Sequence, residues 1–274
     1  MLLAMRGGPS SLTVLVWRII LVAWFHESVP EGDMMKVFAH RGFSGKYPEN
    51  TMLAFQKALE AGADGIELDV HESKDGKLVV IHDELLARTT GKDGTVSDYT
   101  LQELTSIRAS MTMDDLFDTK IPSFEEYCDF AAGNRMITNV EIKTNLCWYP
   151  DIEKRTFDMV KAFHLEDRII FSSFNWLSVI RLRQLAPDIP CGLLYEGHGV
   201  RHLAFQAKEL GLRYLHPGFS LLDDETVAEC KASGIGLNVW TVNDEQKMSR
   251  LMEWDVDSVI SNVPDLCLKM LDRS

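Results

Sequence analysis

Two histidines, three carboxylates and two cations stand at the ends of short apolar runs in this 274-residue chain. His40-Arg41-Gly42 closes the first run, Glu67-x-Asp69 lies in the second, His82-Asp83 comes after it, and Glu141-x-Lys143 ends a third. Residues two apart on a strand face the same way, so Glu67 and Asp69 share a side, as do Glu141 and Lys143. Ionised carboxylates facing a filled core would be very costly; at a strand end beside a hard cation they are tolerable. An all-oxygen set of Glu67, Asp69 and Glu141 favours Mg²⁺ or Ca²⁺ over zinc. Histidine is the usual acid or base near neutral pH, which suits His40 and His82. Arg41 can present a planar fork to phosphate oxygens, and Lys143 can add charge there. Trp240 can wall such a pocket. Gly42 reads equally as a turn glycine or as a place for substrate to approach the backbone. The set can hold a divalent metal, grip a phosphate and move protons, which is what cleaving a phosphodiester requires. The other six histidines read as core or surface groups, with His216 before Pro217 the most open case.

The elements that must position these residues alternate. Strand candidates are 37–39, 65–70, 137–142, 169–174, 191–195, 213–215, 236–242 and 257–261. Near-continuous apolar runs suit a parallel sheet buried on both faces. Amphipathic stretches at 51–61, 151–164, 175–185, 199–210, 223–233 and 244–254 read as helices. Either Asn50 or Thr51 can cap the first, and Gly62 can end it. Eight strands with helices between them predict a (β/α)₈ TIM barrel; a doubly wound open sheet is the alternative.

One unit has no room for a helix. Asp75-Gly76 marks a tight turn between two apolar runs, predicting a β-hairpin excursion after the second strand. A two-residue turn there places Asp69 opposite His82. Residues 83–120 then form a long polar excursion, of a length more often functional than idle.

The formal net charge of −13 argues against nucleic acid or an anionic membrane as partner, and requires local positive charge at any phosphate site. Five scattered cysteines without C-x-x-C spacing suit reduced thiols in a cytoplasmic protein. The apolar stretch 11–25, interrupted by Arg18, reads three ways: a signal peptide, a membrane anchor, or an over-called start with translation from Met34 or Met35. Residues 1–33 are therefore set apart from a catalytic unit of 34–274. Membrane contact or export is expected only if that stretch is genuine.

Phe38-Ala-His-Arg-Gly42, Pro48-Glu-Asn-Thr51, Glu67-Leu-Asp-Val70, Val79-Val-Ile-His-Asp83, Glu141-Ile-Lys143, Trp240-Thr-Val-Asn243 and Ile260-Ser-Asn-Val-Pro-Asp265 stand in an order that resembles the glycerophosphodiester phosphodiesterases. The resemblance spans about residues 36–270. It implies a TIM barrel and metal-dependent hydrolysis of glycerophosphodiesters to glycerol 3-phosphate and an alcohol. It makes His40 and His82 the acid–base pair, Glu67, Asp69 and Glu141 the metal ligands, and Arg41 and Lys143 the phosphate contacts; Glu49 and Asn50 also match. Three rival readings share the site: a lysophospholipase D with a greasier pocket, a lyase stopping at a cyclic phosphate, and a non-catalytic metal- or phosphate-binding module.

Overall fold

The computed structural model describes residues 34–113, 117–197 and 201–273. They belong to one unit, Met34–Ser274; the expectations for residues 1–33 lie outside the described residues. The apolar runs become β1 (Lys36–His40), β2 (Gly65–Glu72), β4 (Ile137–Ile142), β5 (Ile169–Ser173), β6 (Cys191–Tyr195), β7 (Tyr214–Pro217), β8 (Gly236–Val239) and β9 (Ser258–Ser261). All pair in parallel, and β1 is bonded to both β2 and β9. That double pairing closes the ring and excludes the open sheet, which needs two free edges. The result is the (β/α)₈ barrel. β2 is buried at every position, as expected of a strand covered on both faces.

The covering helices follow their sequence signals. α1 (Met52–Glu60) starts after Thr51, whose hydroxyl accepts the Ala54 N–H at 3.3 Å. Its apolar side buries Ala54, Phe55 and Ala58. Within the excursion come α2 (Ala87–Thr90) and α3 (Leu101–Leu104). Then follow α4 (Phe124–Ala132), α5 (Ile152–Ala162), α6 (Trp176–Leu185), α7 (Leu203–Glu209), α8 (Asp224–Ser233), α9 (Glu245–Trp254) and α10 (Pro264–Met270).

The hairpin forms, but its register corrects the expectation. β3 (Leu78–Val80) runs antiparallel to β2 with Val70 opposite Val80 and Glu72 opposite Leu78. Asp69 therefore faces Ile81, whose N–H reaches the Asp69 carbonyl at 3.1 Å, and not His82. The turn has three residues, Lys74-Asp75-Gly76, closed by Ser73, whose N–H donates to the Lys77 carbonyl. Gly76 takes φ +71, the left-handed position a three-residue loop reserves for glycine. The excursion is no loose loop. It folds over a core of its own built from Val79, Ile81, Leu86, Val96, Leu104, Ala109 and Ile121.

Inside the barrel, Phe38, Ile170 and Ile260 form an apolar plug. The interior also holds buried polar side chains, among them Asn139, Ser172, His216, Asn238 and Ser258. His216 is thereby a core group. Its Nε2 meets the Asn238 amide at 2.9 Å, and its ring occupies the space over Gly192 that any Cβ would fill. Burial drops its pKa to about 3.

Candidate active site

The C-terminal ends of β1, β2 and β4 bring the expected residues to one mouth. A cavity of about 360 Å³ is lined by His40, Arg41, Glu67, His82, Glu141 and Lys143, with Trp240 on its wall. Asp69 lies fully buried in the same cluster. Glu67, Asp69 and Glu141 each bring a carboxylate oxygen within 4.8 Å of the others. Asp69 Oδ1 has no hydrogen-bond partner among the described residues. Lys143 Nζ stands 2.8 Å from Glu141 Oε1 as an ion pair, without the alignment of a hydrogen bond. Buried, crowded and partly unsatisfied carboxylate oxygens are the donor set a hard cation takes, so this cluster could hold a divalent metal.

The electrostatics show what the cluster does without such a charge. Burial first, then the charges of Asp69 and Glu141, push the Glu67 carboxyl well above its usual range. Burial also raises Glu141, with Lys143 opposing. Asp69 goes the other way. Burial works against its charge, but His82, Lys143, Arg41 and the Asn50 amide hold it below the ordinary carboxylate range. Crowding thus places a proton on Glu67 in preference to Asp69, because like charges this close cannot all ionise.

Both histidines are held at Nδ1, leaving Nε2 toward the cavity. His40 Nδ1 donates to Asn262 Oδ1 at 2.6 Å, and its Nε2 stands 3.9 Å from Glu67 Oε2. Burial, and then the Arg41 charge, drop the His40 pKa to about 3, so its ring is neutral with a free lone pair. His82 Nδ1 meets Asp83 Oδ1 at 2.6 Å, and Lys143 Nζ lies 3.3 Å from its Nε2. The His82 carbonyl accepts the Nε2–H of His71 at 3.0 Å, while Tyr149 hydroxyl donates to His71 Nδ1. His71, read from sequence as a background group, therefore anchors the chain beneath His82.

Arg41 sits at φ +55, which lets its N–H donate to Glu67 Oε2 at 2.9 Å while its guanidinium meets Glu49 at 2.8 Å and Asp69 at 3.6 Å. Gly42 resolves as a packing glycine: a Cβ there would meet the Ala54 backbone at 2.7 Å, so it admits α1 and not substrate. Asn50 is not the helix cap. Thr51 is, and the Asn50 amide donates to Asp69 Oδ2 at 2.8 Å.

Three supporting residues had no role in the sequence reading. Asn262 fixes His40, and Asp83 fixes His82. Arg88 makes two hydrogen bonds to Glu49 and one to Asp83, tying the two histidine-bearing segments together. Asp83 and Asn262 lay inside quoted motifs and could have been found there. Arg88 carried no spacing signal, because its partners are 39 and five residues away on different segments.

A family model described as the glycerophosphoryl diester phosphodiesterase family matches residues 40–266. The chain belongs to this family. A glycerophosphodiester phosphodiesterase of Caldanaerobacter subterraneus subsp. tengcongensis is 38% identical over 240 residues, 86% of this chain and 98% of its own. A human lysophospholipase D is 26% identical over 303 residues, 96% of this chain and 94% of its own. The solved structure of an Oleispira antarctica phosphodiesterase, in complex with the product sn-glycerol-3-phosphate, superposes with a TM-score of 0.77 at 29% identity, covering 87% of this chain and 97% of that one. Family membership makes this protein a phosphoric diester hydrolase with a TIM barrel. Among the described residues, no helix is long and apolar enough to cross a membrane.

Proposed function

We propose that this enzyme hydrolyses small glycerophosphodiesters to glycerol 3-phosphate and an alcohol, with Mg²⁺ or Ca²⁺ held by Glu67, Asp69 and Glu141. The observation that carries the reading is the single cavity where three buried carboxylates, two cations and two Nδ1-anchored histidines meet. The product named in the Oleispira antarctica complex supports the substrate class. A bound divalent ion supplies charge neutralisation and lowers the pKa of a coordinated hydroxyl. Arg41 and Lys143 orient the phosphate oxygens. Neutral His40 takes the proton of the attacking hydroxyl at Nε2. His82, steadied by Asp83 and His71, delivers a proton from its Nε2 to the departing alcohol. The attacking group is either the substrate's own glycerol hydroxyl, through a cyclic phosphate later opened by water, or water directly.

The test is release of glycerol 3-phosphate from glycerophosphocholine by protein starting at Met34, with EDTA and with each metal restored. Metal-dependent release is expected. No release with either metal from folded protein overturns the reading. A second reading, turnover of lysophospholipids, is favoured by Leu146, Trp148, Trp176 and Leu177. These are exposed large apolar side chains on the two segments that follow β4 and β5 at the mouth. Faster turnover of a long-chain lysolipid than of glycerophosphocholine decides for it.

A further inference from the structure

Glu153 is a buried carboxylate outside the cavity, and the reaction above does not use it. It sits in the first turn of α5, where its Oε1 accepts the hydroxyl of Ser178 on α6 at 2.7 Å. A carboxylate only accepts, so Ser178 gives its proton to Glu153 and can only accept from the next group in line. That group is the Thr144 hydroxyl, 2.8 Å away. The chain therefore has one direction, from Thr144 through Ser178 to Glu153, and all three side chains are buried. Glu153 Oε2 stands 3.5 Å from Arg181, whose guanidinium lies over the Trp148 ring, 4.9 Å from its centroid. Thr144 is near the start of the segment joining β4 to α5, Trp148 is within it, and Glu153 stands just past its end. One buried carboxylate thus ties the whole connection together.

What this segment carries gives the tie a purpose. Lys143 directly precedes Thr144, and its Nζ stands 2.8 Å from Glu141, 3.6 Å from Asp69 and 3.3 Å from His82 Nε2. A lysine ammonium on a flexible four-carbon stem is placed only as well as the backbone beneath it. That backbone is held on both sides. The Ile142 carbonyl accepts the Ser173 hydroxyl at 2.7 Å, and the Thr144 carbonyl accepts the Asn175 amide at 3.2 Å. The Thr144 side chain adds a third hold, and this one runs on to a carboxylate. Hydrogen bonds to a charged acceptor are roughly twice as strong as neutral ones. We propose that Glu153 is a positioning residue for Lys143, acting through Ser178 and Thr144. This assignment rests on the reading above that Lys143 meets the phosphate, and it adds the device, outside the cavity, that sets where the ammonium stands.

The experiment is a double-mutant cycle read by calorimetry of sn-glycerol 3-phosphate binding in saturating Mg²⁺ or Ca²⁺. Lys143→Met is expected to weaken binding by about tenfold or more, the scale of a charged hydrogen bond. Glu153→Leu and Ser178→Ala, which cut the chain at different links, are each expected to weaken it by about threefold to tenfold. Ser178→Ala keeps the test open should Glu153→Leu fail to fold. Glu153→Gln retains an oxygen for the Ser178 hydroxyl and is expected to recover most of the affinity. In the Lys143→Met background the same substitutions are expected to cost nothing further. General damage to the packing of α5 on α6 would subtract equally in both backgrounds, and that result overturns the proposal. So does unchanged binding in Glu153→Leu and Ser178→Ala, or a Glu153→Gln variant as weak as Glu153→Leu. If Lys143→Met binds like wild type, the phosphate reading of Lys143 fails and the positioning role falls with it. Turnover of glycerophosphocholine is measured separately: a cycle that behaves as expected in a protein without turnover keeps Glu153 in its role and sinks the hydrolase reading.

Discussion

Replacing Glu67 by Gln tests the carboxylate cluster without changing its shape. Each pair in the cluster has oxygens no more than 4.8 Å apart. At an effective dielectric of about 20, unit charges at that separation repel by about 3 to 4 kcal/mol. Glu67→Gln removes two such repulsions. It also removes the attraction to Arg41, while keeping an acceptor for the Arg41 N–H. The native protein has already relieved part of the strain by protonating Glu67. The net gain expected for the metal-free variant is therefore about 1 to 3 kcal/mol. For a unit of this size each kcal/mol moves the melting temperature by roughly 2 to 4 °C. In EDTA, Glu67→Gln should melt higher than wild type by about 2 to 12 °C. Rising Mg²⁺ or Ca²⁺ should reverse the order. A ligand at a hundredfold its Kd adds about 2.7 kcal/mol to the wild type, and the variant should gain little of that. The pH dependence has a definite sign. The folded metal-free protein binds a proton at Glu67 that the unfolded chain, with an ordinary value near 4.5, has released. Wild-type stability from this group therefore falls as pH rises above 4.5 through the raised folded value. The advantage of Glu67→Gln should widen over that window. Scanning calorimetry in EDTA and in metal reads all of this. A variant that melts below wild type in EDTA, or rises equally with metal, would refute the reasoning.

His40→Ala and His82→Ala should each cut kcat by about a hundredfold or more, and wild-type kcat/KM should be bell-shaped in pH. Purified variants at wild-type rates would show that neither ring moves the proton. Arg88→Ala should lower kcat on the order of tenfold while barely moving the melting temperature, because Arg88 is largely exposed yet holds Asp83 and Glu49. A rise in KM alone would place Arg88 outside the positioning of His82. Gly192→Ala should cost about 1 to 3 kcal/mol in urea titrations, because the added methyl meets the His216 ring in a filled layer. Wild-type stability there would mean that the ring has room to turn.

The barrel was legible because each buried strand is a short apolar run and several of the long helices carry a side-chain cap. Thr51 and Asn175 start theirs through side-chain acceptors. The site was legible because its residues cluster at strand ends within those runs. The hairpin register was not, because Asp75-Gly76 allows either a two- or a three-residue loop, and Ser73 chose between them through its bonds to Lys77. The apolar core under residues 83–121 was hidden by the polar residues between its members. The role of Asn50 was masked by its place next to a true cap.

The pairing of β1 with β9 has a consequence for how the protein is made. The proposed metal, phosphate and proton-transfer groups are all encoded before residue 144, so the ribosome delivers them early. The ring cannot close until Ser258–Ser261 emerges to pair with Lys36–Ala39. Asn262, one residue later, is what holds His40. Arg273, after α10, ties down Asp64 between α1 and β2. A nascent or prematurely terminated chain therefore carries a full set of reactive groups on a sheet with two unpaired edges, a form that invites aggregation. The last strand thus acts as a gate on assembly: the proposed acid–base group His40 gains its Asn262 partner only once β9 has emerged to close the ring.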